Sequence, residues 1–338
     1  MKPRRSTPAF AYRAGIRIPG TEITCDALGF PSDLVFLSHA NAFPPHGRTG
    51  RRQFVTTATT LRLLGAAGEK LRDRVLPATF GRPFNLGPHR LEIVPTGFLP
   101  GAAALLCQTD SARAFYLGSF CLEPLFEGIE PALMRQADAL CVDATYGDPN
   151  LRYAPRPQTL AELRAFVEAS LHRRGRVALL GSPFGGLPAV AVELGRAGLP
   201  LRAHRRIVDV AARLRLAGTD LPALPRFAGQ LHEGEVLLWP SDGRQAAGLT
   251  ALGDLELALV SGAAADPAVL DAMKLRHGFA LDNRPSFSEI EAAIDATGAR
   301  EVALFHGAAE PAAQRLRQHG IEAYALGPPR QMPLPSKS

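Results

Sequence analysis

Apolar residues recur along this chain with two different rhythms, and the change falls near residue 150. Before it they come in short runs cut by Gly, Pro, Asn and Asp, the pattern of strands joined by tight turns. These runs predict strands over residues 15–18, 22–26, 34–37, 90–95, 103–108, 114–117 and 139–143, and a helix over 56–64. The stretch 148–157 (DPNLRYAPRP) is too rich in Pro and polar residues to extend either neighbour, so it predicts a crossing between domains. Beyond it, apolar residues spaced three and four apart alternate with short apolar runs. Helices are predicted over 159–172, 187–197 (despite Pro188), 286–297 and 308–319, with strands over 176–180, 201–203, 235–239, 256–261, 301–306 and 322–325. Such alternation predicts a small parallel sheet flanked by helices. Ser286 and Glu289 have the spacing of a capping box. No internal repeat is visible, and the tail from Pro328 is expected to fray.

Composition narrows the picture a little. A chain of 338 residues with 46% hydrophobic and 21% charged residues suits two packed domains and argues against global disorder. No apolar run approaches the ~20 residues that span a bilayer, and the basic N-terminus has no apolar core behind it, so a cytoplasmic protein is expected. Cys25, Cys107, Cys121 and Cys141 are scattered without a Cys-x-x-Cys pair and are expected as buried, reduced thiols. A formal charge of +6 permits an acidic partner such as nucleic acid, although a solvated arginine surface gives the same number.

Candidate chemistry concentrates in residues 35–47, VFLSHANAFPPHG. An apolar strand ends in Ser38-His39, where a side chain can project from a sheet edge into a site. Further strand ends follow in PTGFLPGAAALL (95–106), YLGSFCLEP (116–124), CVDATYG (141–147), GFALDNRPSF (278–287) and VALFHG (302–307). In this order the six fragments resemble the metallo-β-lactamase-fold nucleases that carry an inserted β-CASP domain. The resemblance is closest to bacterial ligase-associated DNA exonucleases and more distant to RNA 3′-end processing nucleases. It covers the chain from about Gly15 to Leu326 and implies an α/β fold, a four-layered αββα sandwich with an inserted β-CASP-like α/β domain. The implied division is 1–155 for the first part of the sandwich, 156–270 for the insertion, 271–330 for the returning segment and 331–338 for a tail.

The resemblance also implies a two-metal site of imidazoles and carboxylates that activates water against a phosphodiester. Its seven ligand positions fall here on His39, Asn41, Phe43, Pro44, Phe98, Ser119 and His306, so two imidazoles are kept. Loss of five ligands is expected to abolish a two-metal site. An acidic position of the inserted-domain motifs is kept as Asp143, a substrate-facing His is replaced near Arg284, and a phosphate-meeting loop appears as Ser182–Gly186 without its lysine.

The expectation is therefore a metal-free pseudonuclease that binds DNA, RNA or a protein partner of a repair or processing complex. An alternative is a hydrolase using one Zn or Mn ion on His39, Asp143 and His306, with His46 as a substitute ligand; another is a purely structural subunit. Asp143 could equally organise its own loop by accepting backbone N–H bonds. Arg48, Arg51, Arg52, Arg205, Arg206 and Arg284 are the candidate nucleic-acid contacts, with Arg202 and His204 in the same patch. Phe43, Phe98 and Phe120 are expected to fill the vacated metal pocket. Ser38, Ser119 and Ser182 lack the Gly-x-Ser-x-Gly context of a serine nucleophile.

Overall fold

The structure, a computed structural model, describes residues 9–12, 15–26, 34–43, 50–109 and 112–327. Pro44, His46, Arg48 and the expected tail lie outside the described residues. The first strands are β1 (Ala11–Tyr12), β2 (Ile16–Arg17), β3 (Ile23–Cys25), β4 (Leu34–Phe36), β5 (Gln53–Thr56) and β6 (Val75–Pro77), hydrogen-bonded in that order into one sheet. Helices α1 (Ala58–Leu63) and α2 (Ala66–Leu71) lie between the last two. The chain continues through β7 (Phe84–Leu86), β8 (His89–Pro95), β9 (Ala103–Gln108), β10 (Arg113–Gly118) and β11 (Ala139–Asp143).

An alternating stretch follows: α3 (Arg156–Arg174), β12 (Arg176–Gly181), α4 (Gly186–Arg196), β13 (Leu201–Ala203), α5 (Arg205–Leu216), β14 (Glu235–Pro240), α6 (Ala247–Thr250), β15 (Glu256–Val260), α7 (Pro267–Met273) and β16 (His277–Phe279). The described chain closes with α8 (Phe287–Thr297), β17 (Glu301–Phe305), α9 (Ala309–Gln318) and β18 (Glu322–Leu326). The last two strands return to the second sheet, whose order is β18-β17-β11-β10-β9-β8-β7.

The first two sheets pack face to face. Phe10, Ile16, Ile23, Cys25, Phe36 and Val55 from one meet Ile93, Leu105, Tyr116, Cys141 and Phe305 from the other in a single apolar layer. On its far side the second sheet is covered by α8 and α9 through Ile290, Ile294, Ala312 and Leu316. The far side of the first sheet, with Val35 and Phe54, joins a core shared with α1, α2 and the helices α3 to α5 of the alternating stretch. The fold is thus mixed α/β, with helices outside two stacked sheets.

A third sheet, order β13-β14-β12-β15-β16, is parallel throughout. Its inner strands β12, β14 and β15 read as near-continuous apolar runs because helices and loops bury both faces. It runs to Phe279, since β16 pairs with β15; the expected boundary at 270 would have assigned that strand to the returning segment. Pro188 is tolerated because it lies in the first turn of α4, where its missing N–H has no intrahelical acceptor. Helix α5 is absent from the sequence reading, which registers only its arginines. Its Ile207, Val210, Ala211 and Leu214 nevertheless keep the three-and-four spacing of a buried face.

Candidate functional site

Strand register brings the candidate residues together. Strands β10, β11 and β17 run parallel, with Gly118 beside Val142 and Asp143 beside Phe305. The next residues out of the sheet, Ser119 and His306, therefore flank Asp143. A register slip between Tyr116 and Gly118 bends the end of β10 and turns Ser119 onto the carboxylate. Facing them, the end of β4 carries Ser38 and His39 from the first sheet. All of these ends open into one cavity of about 950 Å³, lined by Asp26, His39, Asn41, Tyr116, Ser119, Asp143, Arg284 and His306 among others.

Asp143 is buried and saturated. Its Oδ1 accepts from the backbone N of Thr145 at 2.8 Å and from its hydroxyl at 2.5 Å, while Oδ2 accepts from the Ser119 hydroxyl at 2.6 Å. Arg284 Nε stands 3.4 Å from Oδ2, and His306 Nδ1 lies 3.7 Å from Oδ1. Burial alone would raise this carboxyl's pKa. The nearby His306, the Arg284 charge and the Ser119 and Thr145 hydroxyls outweigh it and hold Asp143 well below the usual carboxylate range. The loop-organising role foreseen for Asp143 is seen in its bonds to Thr145.

His39 belongs to a second network. Asp26 accepts from the Ser38 backbone N at 2.8 Å, from the Ser38 hydroxyl at 2.5 Å and from the Tyr116 hydroxyl at 2.8 Å. Ser38 Oγ is also 2.6 Å from His39 Nδ1. The Ser38 hydroxyl donates to Asp26, which leaves its oxygen an acceptor toward His39 and so assigns the imidazole proton to Nδ1 and the lone pair to Nε2. Burial lowers the His39 pKa to about 4, against the opposing pull of Asp26, so the ring is neutral near pH 7. Its edge meets the Phe98 ring at a centroid distance of 4.7 Å.

Asp26 and Tyr116 line the same cavity and are the residues of this network that the sequence reading passes over. The available signal was an acid at the end of the apolar run Ile23–Cys25, but nothing local pairs it with a tyrosine 90 residues away. Both Asp26 (φ +53°) and His306 (φ +65°) adopt the left-handed region, which non-glycine residues rarely visit. Backbone strain of this kind concentrates at functional sites.

The remaining candidates are distributed as follows. Arg284 projects from the loop after β16 and is shared between Asp143 and Asp282, with Nη1 3.4 Å from Asp282 Oδ1. Arg51 and Arg52 precede β5, whose Gln53 lies beside Leu34. They sit at the opposite end of these strands from His39, about 20 Å away along the strand for Arg52. Arg205 and Arg206 open α5 beyond β13; they are exposed and pair with Asp209 at 3.6 Å and Asp242 at 2.8 Å. Arg202 pairs with Glu235 at 2.7 Å, and His204 caps α5. The register thus keeps Arg51 and Arg52 away from the cavity. Of the three phenylalanines expected to fill the metal pocket, Phe98 alone backs the site. Phe120 is buried beneath the α8–α9 layer and Phe43 joins the core under the first sheet.

The donor set does not suit a metal ion. Among the described residues no group of three or more His, Cys, Asp or Glu side chains is arranged to hold one. Both Asp143 oxygens are already engaged, and a guanidinium lies against one of them.

No family model matches the chain. It is 24% identical over 329 residues to a probable DNA ligase of Opitutus terrae, an alignment covering 97% of this chain and 32% of that protein. Over 173 residues it is 26% identical to a ribonuclease of Thermus thermophilus, covering 51% of this chain and 35% of the relative. The chain spans about a third of the length of each. No helix among the described residues is long and apolar enough to cross a membrane.

Proposed function

We propose that this chain is a metal-free, catalytically degenerate relative of the metallo-β-lactamase-fold nucleases with a β-CASP-like insertion, and that it binds nucleic acid without hydrolysing it. In this reading residues 1–155 and 280–330 form the sandwich, and the insertion, expected over 156–270, extends to Phe279, the end of its sheet. Nucleic acid as the ligand is supported by the two relatives, named for a DNA ligase and a ribonuclease. The net charge of +6 supplies the attraction, since phosphate contacts need well-placed cations rather than a metal site.

One observation carries the loss of catalysis. The carboxylate that would serve a hydrolytic site is closed by Ser119, Thr145 and Arg284. Without an ion to lower the pKa of water, this cavity has no hydroxide to deliver at neutral pH.

The test combines metal analysis with binding. Purified protein is expected to carry less than stoichiometric zinc or manganese. It is expected to bind fluorescent single-stranded DNA, duplex DNA or RNA with an affinity that falls steeply with salt, and to leave each strand intact when Mn²⁺ is added. Stoichiometric metal lost on His39→Ala, together with cleavage of a strand, would instead support the one-metal hydrolase, whose expected ligands His39, Asp143 and His306 line one cavity. Absence of binding at low salt would leave a structural subunit or a protein partner.

A further inference from the structure

The cation in this site is a side chain. Arg284 is mostly buried, with its side chain 19% exposed, and it lies between two carboxylates that are themselves 2% and 3% exposed. Its guanidinium carbon also sits 5.3 Å from the centroid of the Phe98 ring, so an aromatic face supports the charge as well. Burial by itself disfavours the charged form of Asp143, and the Arg284 charge beside it favours that form. The other basic group near Asp143, His306, also favours the charged carboxylate, but its own side chain is 68% exposed and an imidazole, unlike a guanidinium, is charged only when protonated. Guanidinium is protonated at every pH the protein meets, so Arg284 supplies a permanent positive charge.

The same placement acts on ions from solution. A divalent cation approaching Asp143 needs oxygen lone pairs that Ser119, Thr145 and Arg284 already use. It would also meet a fixed positive charge, since Arg284 Nε stands 3.4 Å from Asp143 Oδ2. We infer that Arg284 is a built-in counter-cation for Asp143 and Asp282, which replaces a metal's charge and bars a divalent ion from this carboxylate. This deepens the metal-free reading and rests on it only in requiring that the wild-type protein carry no ion; it needs no nucleic acid.

The experiment is a double-mutant cycle read by thermal unfolding with and without Mn²⁺, on the full chain. Arg284→Met is expected to lower Tm by about 5–10 °C, because an uncompensated buried carboxylate remains. Millimolar Mn²⁺ is expected to recover part of that loss while leaving wild-type Tm unchanged. Adding Asp143→Asn to Arg284→Met removes the stranded charge, so the double variant should regain stability and stop responding to Mn²⁺. If Arg284→Met is too unstable to purify, a soluble double variant still supports the counter-cation role, and an equally insoluble one overturns it.

An Arg284→Met protein as stable as wild type, or no relief from Asp143→Asn, overturns that role. Indifference of Arg284→Met to Mn²⁺ overturns the barring of the ion. Stoichiometric metal in the wild type defeats this inference and the metal-free reading together. Loss of nucleic-acid binding with the cycle intact defeats only the proposed ligand.

Discussion

At the scale of single residues, the site is two hydrogen-bond networks built on two carboxylates. Asp26 holds Ser38 and Tyr116, and through Ser38 it fixes the proton of His39; Asp143 holds Ser119, Thr145 and Arg284. The buried His39 gives a pH-dependence whose sign follows from its depressed pKa. Unfolded, the ring takes a proton near pH 6.5; folded, it does so only near pH 4. Between these values the unfolded state binds more protons, so stability is complete above about pH 6.5 and drains away as pH falls. From pH 7 to pH 5 the ring should cost the wild type about 2 kcal/mol of unfolding free energy. His39→Asn, whose amide can still donate to Ser38, should flatten that stretch of the profile. Urea unfolding at the two pH values measures it, and equal slopes in both proteins would refute the account.

Residues such as His39, Asp143 and His306 were legible because each ends an apolar run, where a side chain leaves a sheet. Their partners were not. Tyr116 reads as one more apolar strand residue, and its bond to Asp26 exists only because two sheets stack.

At the scale of elements, loops rather than strands close the site. Gly97 (φ +69°) lets the loop after β8 turn beneath Cys121, whose carbonyl oxygen would lie 2.2 Å from any Cβ there, and this turn presents Phe98 to His39 and Arg284. Asn283, fully buried in the loop after β16, donates through Nδ2 to the Phe98 carbonyl at 2.7 Å and to the Phe184 carbonyl at 3.0 Å. It thereby ties the second sheet to the third through two backbone carbonyls, that of Phe98 buried and that of Phe184 partly so. Asn283→Leu, similar in volume but without a donor, should cost about 2–4 kcal/mol for two stranded carbonyls. A loss under about 0.5 kcal/mol in chemical denaturation would show that the contact is incidental.

Another link between elements is the Arg156–Glu289 pair at 3.2 Å, joining α3 to α8, with Glu289 also closing the capping box that Ser286 announces in the sequence. The box was legible because it is local. The pair was not, because its partners are 133 residues apart. Helix α5 shows the opposite failure: its apolar spacing was present, but the density of arginine hid it.

At the scale of the whole molecule, charge and topology pull in different directions. The chain carries +6, yet the described cavity is lined by Asp26, Asp143 and Glu310 against Arg284 alone. Among the described residues, the attraction for a polyanion in the proposed function therefore rests on the outer surface more than on the cavity. Arg205 and Arg206 suit that role in the proposed function. They are exposed, and surface pairs with Asp209 and Asp242 are weak enough to be exchanged for phosphate. Replacing both by Ala should reduce affinity for duplex DNA several-fold and lower the slope of log K against log salt by about 2. An unchanged slope in anisotropy titrations would exclude these arginines as contacts.

The sequence by itself determined many of the strands and helices of each half, the change of rhythm near residue 150, and the set of positions where imidazoles and carboxylates could emerge. These depend on periodicity and turn chemistry, which act within a few residues. Only the tertiary structure decided which of those positions share a cavity, that Arg51 and Arg52 lie away from it, and that Arg284 spends its charge on Asp143 and Asp282. Each of these depends on strand register and sheet stacking, and so on contacts between residues far apart in the chain. A side chain's type shows what it can bind, and its neighbours across the fold determine whether it is free to do so.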